Sequence, residues 1–142
     1  MTISTGSEVP NDRRTRYFEK TINASIAAAS TETIFSKTGP LYLKGLYCGL
    51  ACADVTSAGS LKITADGVII LNETFGDLNT YFTGTVGIPT NNEFMQHSYT
   101  AATLTKFTMG YNTYIKSSLL IEITNTSGAN AMTSNCSITY DK

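Results

Sequence analysis

The sequence predicts an all-β fold, a single sandwich or barrel of about eight antiparallel strands with almost no helix. Two observations carry that prediction. The polar residues are chiefly Thr, Ser and Asn (23, 13 and 10 of 142), whereas charged residues make up only 15%. That balance suits pleated, half-buried surfaces and lacks the charge that solvates helix faces. Short runs also alternate apolar and polar residues at period two, divided by Gly, Pro, Asn, Asp and Ser. The length is that of one domain able to bury its own core.

Residues 1–16 are polar, with Gly6, Pro10, Asn11 and Asp12, and predict a flexible N-terminal arm ahead of a domain at 17–142. Arg13, Arg14 and Arg16 close the arm and are the only arginines. They fit a solvated terminus, or an arm laid on a neighbouring subunit whose carboxylates the guanidinium forks grip. From Tyr17, Phe18, Ile22, Ala24, Ile26 and Ala28 form one strand face; Glu19, Thr21, Asn23 and Ser25 form the other. Phe18, Ile22 and Ile26 also fit a helical spacing, but Thr21, Asn23 and Ser25 are poor helix formers. A strand over Thr31–Lys37 stops at Thr38-Gly39-Pro40. Leu41–Cys52 is nearly continuously apolar, which predicts a central strand covered on both sides, with bulges at Gly45 and Gly49.

Asp66-Gly67 sits between two apolar runs, the signature of a type I′ hairpin. That corner sets Ala65 against Val68, Ile63 against Ile70 and Leu61 against Asn72, giving one apolar face. Ile69 and Leu71 then share the opposite face with Lys62 and Thr64, so they are expected to be covered by another segment or subunit. A short irregular or single-turn helical connection follows over Glu73–Asn79. Short strands are expected near 80–86, 94–102 and 104–110. The end is clearer: Leu119, Ile121 and Ile123 alternate with Leu120, Glu122 and Thr124. After a Ser127-Gly128 turn, Met132, Ser134, Cys136, Ile138 and Tyr140 form an apolar face opposite Ala131, Thr133, Asn135, Ser137 and Thr139.

Charge and composition exclude several classes. A formal net charge of −1 and a pI of about 5.7 leave no global footprint for nucleic acid. No basic start with an apolar run marks a signal peptide, and no segment has membrane-spanning length. Cys48, Cys52 and Cys136 are an odd set, which suits a reducing compartment. The Asn-x-Ser/Thr triplets at Asn23, Asn72, Asn125 and Asn135 are expected by chance in so Ser/Thr-rich a chain.

Specific chemistry finds little footing. Four residues apart on a strand, Cys48 and Cys52 lie roughly 13 Å from each other, too far for one zinc ion or one disulfide. They read as buried thiols acting as small hydrophobes. His97 has no nucleophile motif beside it. Asp66, Glu73 and Asp77 match no calcium loop, and Gly84 and Gly87 match no phosphate cradle. No metal, cofactor or catalytic residue is therefore expected. Tyr99, Tyr111 and Tyr114 supply aromatic faces for a glycan, although tyrosines are equally at home in subunit interfaces.

One resemblance adds to this reading. The runs Leu41-Tyr42-Leu43-Lys44-Gly45-Leu46 and Ser60 to Ile70, with a closing pair formed by Ser118–Asn125 and Ser137–Tyr140, resemble the small β-sandwich proteins of tailed-phage virions. The likeness extends in pattern over residues 17 to 140. It implies a jelly roll that works by binding, as a capsid decoration or cement protein located on the virion and without enzymatic activity. Its implied partners are itself, as a homotrimer, and the major capsid protein or another virion protein, with no nucleic acid and no membrane. The arm with Arg13, Arg14 and Arg16 would meet the capsid, and Ile69 and Leu71 would meet a second subunit. The alternative it implies is a tail or head-fibre component that attaches to host glycans through Tyr99, Tyr111 and Tyr114.

Overall fold

The computed structural model describes residues 13–53, 59–82, 94–101 and 104–142. Among these residues nine strands and one helix follow in order: β1 (Arg16–Ile26), β2 (Ser30–Thr38), β3 (Leu41–Ala51), β4 (Gly59–Ala65), β5 (Val68–Thr74), α1 (Phe75–Phe82), β6 (Phe94–Ala101), β7 (Leu104–Ile115), β8 (Ser118–Asn125) and β9 (Met132–Asp141). They form a five-stranded sheet in the order β1-β9-β3-β7-β6 and a four-stranded sheet in the order β2-β8-β4-β5. Every pairing is antiparallel. The early strands pair with the last ones, β1 and β3 with β9, β2 and β4 with β8, and the chain changes sheet between β1 and β2, β2 and β3, and β3 and β4. A long ribbon wrapped in this way is a jelly roll.

The core lies between the sheets. Leu41, Leu43, Leu46, Cys48 and Leu50 of β3 meet Leu61 and Ile63 of β4 and Leu119, Ile121 and Ile123 of β8 there. β9 has the expected faces, with Met132, Ser134, Cys136, Ile138 and Tyr140 buried. β3 is central, as its composition predicts, but covered on one side only: its outward residues, from Tyr42 to Ala51, are half-buried. A bulge does fall at Gly45, whereas β3 pairs regularly on both sides of Gly49.

Bulges correct two expected faces. In β1 the register against β9 shifts between Ile22 and Ala24. Tyr17, Glu19 and Thr21 therefore oppose the inward residues Tyr140, Ile138 and Cys136, while Phe18 turns outward and is 58% exposed. One extra residue later, Ile26 points in and is fully buried. In the β4–β5 hairpin the register shifts between Ile63 and Thr64, so Ile63 faces Leu71 rather than Ile70. Slipping one residue exchanges the faces of everything beyond the bulge.

Glu73–Asn79 gives way to a true helix, and α1 continues to Phe82, so no strand begins at 80. Thr74 caps the helix: its Oγ accepts the Asp77 N–H at 3.0 Å, and its hydroxyl donates to the Asp77 carboxylate at 2.8 Å. Phe75 and Leu78 bury their side chains in the core. A Cβ on Gly59 would lie 2.0 Å from the Phe75 ring, so that position admits only glycine while Phe75 keeps its place.

Candidate functional site

Asp66 occupies the corner of the β4–β5 hairpin with φ 51°, and Gly67 follows at φ 79°. Both values suit the type I′ turn read from the sequence. The carboxylate does more than turn the chain. It accepts the backbone N–H groups of Lys116 (2.9 Å), Ser117 (2.7 Å) and Ser118 (3.0 Å), and the Ser117 hydroxyl at 2.8 Å. Loss of surrounding water works to raise its pKa, but the N–H groups of Ser118, Lys116 and Ser117 together hold it well below the usual carboxylate range. Asp66 thus ties one hairpin to the β7–β8 turn. Asp77 lies in the first turn of α1, beyond the other end of β5, so these two carboxylates do not converge on a cation. Among the described residues no three His, Cys, Asp or Glu side chains form a metal cluster.

Beside that corner Val68 and Ile69 are 64% and 56% exposed, on the edge strand of the four-stranded sheet. Leu71, expected to share the face of Ile69, is instead buried (4% exposed), because the bulge carries it opposite Ile63. The pairing of Leu71 with Ile69 as one interface is therefore corrected: the exposed apolar pair is Val68 and Ile69.

The arginines are placed less freely than an arm requires. Thr15 exchanges backbone hydrogen bonds with Lys142 at 2.7 and 2.9 Å. Arg16 forms a forked pair with Asp141, its Nη2 at 3.1 Å. The hydrogen bond from Arg16, together with its charge, lowers the Asp141 pKa. The Arg14 guanidinium lies 3.4 Å from the centre of the Tyr42 ring. Arg13 is exposed. Arg14 and Arg16 are thus engaged within their own chain, a correction to an arm extending through residue 16. Residues 1–12 lie outside the described part.

The tyrosines do not form one platform. Tyr111 is buried, its hydroxyl donating to Met109 Sδ at 3.3 Å, and burial pushes its pKa up. That removes it as a glycan contact. Tyr114 is half-buried and tilted against Tyr42, ring centres 5.0 Å apart. Tyr99 pairs by backbone with Thr105, at the other end of β7 and about 30 Å along the strand from Tyr114; its side chain, like that of His97, lies outside the described part.

Sequence reasoning missed the lateral pairings. Arg16, Asp141, Tyr42 and Tyr114 form a row across β1, β9, β3 and β7 on the outer face of the five-stranded sheet. Lys20, Lys44 and Lys106 share that face, and Asp141 is its only acid among the described residues. On the inner side Cys48 lies directly opposite Cys136. Both thiols are free and fully buried, and burial together with Cys136 pushes the Cys48 pKa up. Cys52 is buried as well. Where β1 meets β2, the Tyr140 hydroxyl donates to Glu19 at 2.6 Å while Lys37 pairs with the other Glu19 oxygen, also at 2.6 Å. Hydrogen bonds from Lys37 and Tyr140 lower the Glu19 pKa; burial, then Glu19, pushes Tyr140 up to about 12.

Strand order and the inward packing define the class: an antiparallel jelly-roll β-sandwich. No protein-family model matches the chain, and no curated protein matches it. Among solved structures it is similar to dimeric latent PorU from Porphyromonas gingivalis (TM-score 0.48, 9% identity, 91% of this chain and 13% of that one). It is similar to the STIV MCP (0.47, 9% identity, 88% and 48%) and to a chain of the cyanophage Pam1 capsid asymmetric unit (0.41, 10% identity, 99% and 93%). The chain thus spans about an eighth and about half of the first two. Overlaps this loose carry no argument about what the chain does.

Proposed function

We propose that this chain is a non-enzymatic structural protein of a tailed-phage virion, a decoration or cement protein that binds the capsid shell as a homotrimer. The observation that carries the reading is the exposed Val68-Ile69 pair on the β5 edge. Two β-branched side chains on a strand with no second partner strand among the described residues expose apolar area beside an open strand edge, which a second subunit would cover. The resemblance of residues 41–46, 60–70, 118–125 and 137–140 to small virion sandwiches supports the same reading. Residues 1–12, with exposed Arg13 at their end, are the segment that would reach the major capsid protein. Arg14 and Arg16 stay with the domain, and its location is the virion.

Copy number in purified particles tests the role. A ratio to the main shell subunit near one, by quantitative gel densitometry, is expected. A few copies per particle would move the chain to the tail or a fibre, and absence from particles would end the virion reading. Deleting residues 1–12 tests the arm separately. The cut leaves the Thr15–Lys142 and Arg16–Asp141 contacts intact, so a folded, assembled protein that no longer binds shells is the expected result. Unchanged shell binding would remove the arm from the mechanism.

A further inference from the structure

On the outer face of the five-stranded sheet, β3 has glycine where a side chain would otherwise stand. Gly49 lies opposite Asn135 of β9 on one side and Lys106 of β7 on the other. With no side chain at 49, the space between them, about 10 Å from backbone to backbone across three strands, is shared by the Tyr47 side chain and a slot beside it. Tyr47 bounds it along β3; a Cβ built on Gly49 would stand 3.0 Å from the Tyr47 hydroxyl, so the phenol leans over the glycine. Ala51 and Thr133, another cross-strand pair, close the far end. The concavity measures about 260 Å³, just under the roughly 300–1,000 Å³ of drug-sized sites. It has room for one ring.

Its lining is chemically mixed in a particular way. Tyr47 offers an aromatic face and a hydroxyl, Gly49 and Ala51 a flat apolar floor, and Asn135 an amide with both a donor and an acceptor. Lys106 brings an ammonium, is exposed, and forms no ion pair with any described residue. Lys20, opposite Ser137 on β1, adds a second positive charge to this end of the face, whereas Lys44 stands farther along β3, bonded to Asn112, and Asp141 is held by Arg16. An excess of positive charge around a small concavity draws anions toward it.

We propose that this slot binds an acidic monosaccharide unit of a glycan. The apolar face of the sugar would lie against Tyr47, its hydroxyls against Asn135 and Thr133, and its carboxylate on Lys106. A simple carboxylate uses only the lysine, and a neutral sugar leaves the ammonium without its partner. The proposal rests on the slot alone and does not depend on attachment to a shell, which involves the β5 edge and the arm.

The test is a titration of the full chain, followed by backbone amide NMR, with a galacturonic acid disaccharide. Its neutral galactose counterpart and sodium acetate serve as the comparison ligands. The acidic disaccharide is expected to shift the amides of Gly49, Lys106 and Asn135 with a Kd on the order of 1 mM, and the neutral sugar to bind about tenfold more weakly. Acetate is expected to leave those amides in place. Gly49→Val fills the slot with a residue that suits a strand, and Lys106→Ala removes the charge. Each should cost at least about tenfold in affinity at unchanged Tm, while Lys20→Ala should cost less than about twofold. Absence of shifts with the acidic disaccharide, equal shifts with acetate, or undiminished binding by a folded Gly49→Val protein would each overturn the proposal. If that variant fails to fold, retained binding in both Lys106→Ala and Tyr47→Ala overturns it equally.

Discussion

Asp66→Asn separates the two things one carboxylate does. Asparagine tolerates the positive φ of the corner and keeps one acceptor oxygen, so the hairpin should survive. What it loses is the charge that gathers the N–H groups of Lys116, Ser117 and Ser118. On that account the variant should be less stable at pH 7 by about 1 kcal/mol, a modest figure because the site is exposed. The pH dependence has a definite sign. The folded pKa of Asp66 lies below its unfolded value, so its contribution is complete above the ordinary carboxylate range and is lost as pH falls through that range toward the folded pKa. Urea melts of both proteins from pH 7 down to pH 2 should therefore converge at the acid end. A constant gap across that range would mean that charge plays no part. Glu19 and Asp141, also lowered, add to acid destabilisation with the same sign in both proteins.

At the scale of elements, α1 depends on a glycine in a strand distant from it in the sequence. Gly59 opens β4, and its missing Cβ is the space the Phe75 ring occupies. Gly59→Ala should displace Phe75 from the core and cost about 1–3 kcal/mol, as overpacking does. Phe75→Ala should cost about 3–5 kcal/mol. Because the alanine at 59 no longer meets a ring, the double variant should be less destabilised than the sum of the two. Thermal or urea unfolding of the four proteins measures this coupling, and strict additivity would show that the two positions do not share space. The glycine itself is plain in the sequence. Its reason is not, since alternation along β4 says nothing of a ring presented by the following helix.

For the whole molecule, the exposed apolar pair decides between a surface and an interface. Val68→Lys with Ile69→Lys changes two exposed side chains on an edge strand. It should alter monomer stability by no more than about 0.5 kcal/mol per site. If a second subunit covers them, sedimentation should show loss of the oligomer at unchanged circular dichroism. A variant that sediments as the parent does would place the interface elsewhere. Leu71→Lys is the contrast: its side chain is in the core, so that substitution should unfold the domain rather than dissociate it.

Local chemistry was legible wherever it acts between near neighbours. The Asp66-Gly67 corner, the strands from Leu41 and Ser118, the two faces of β9 and the burial of three cysteines all follow from turn preferences and from alternation at period two. A helix after Thr74 was half legible, since its capping residues stand three apart. Tertiary structure alone decided the bulges after Ile22 and at Ile70, because one extra residue in a ladder reverses the faces beyond it without altering the composition of either strand. It also decided which residues meet side by side: Arg16 with Asp141, Cys48 with Cys136, and Gly49 between Lys106 and Asn135. Such rows depend on the register of strands far apart in the chain. That register is set by the closure of two sheets around a shared core, and no local pattern encodes it.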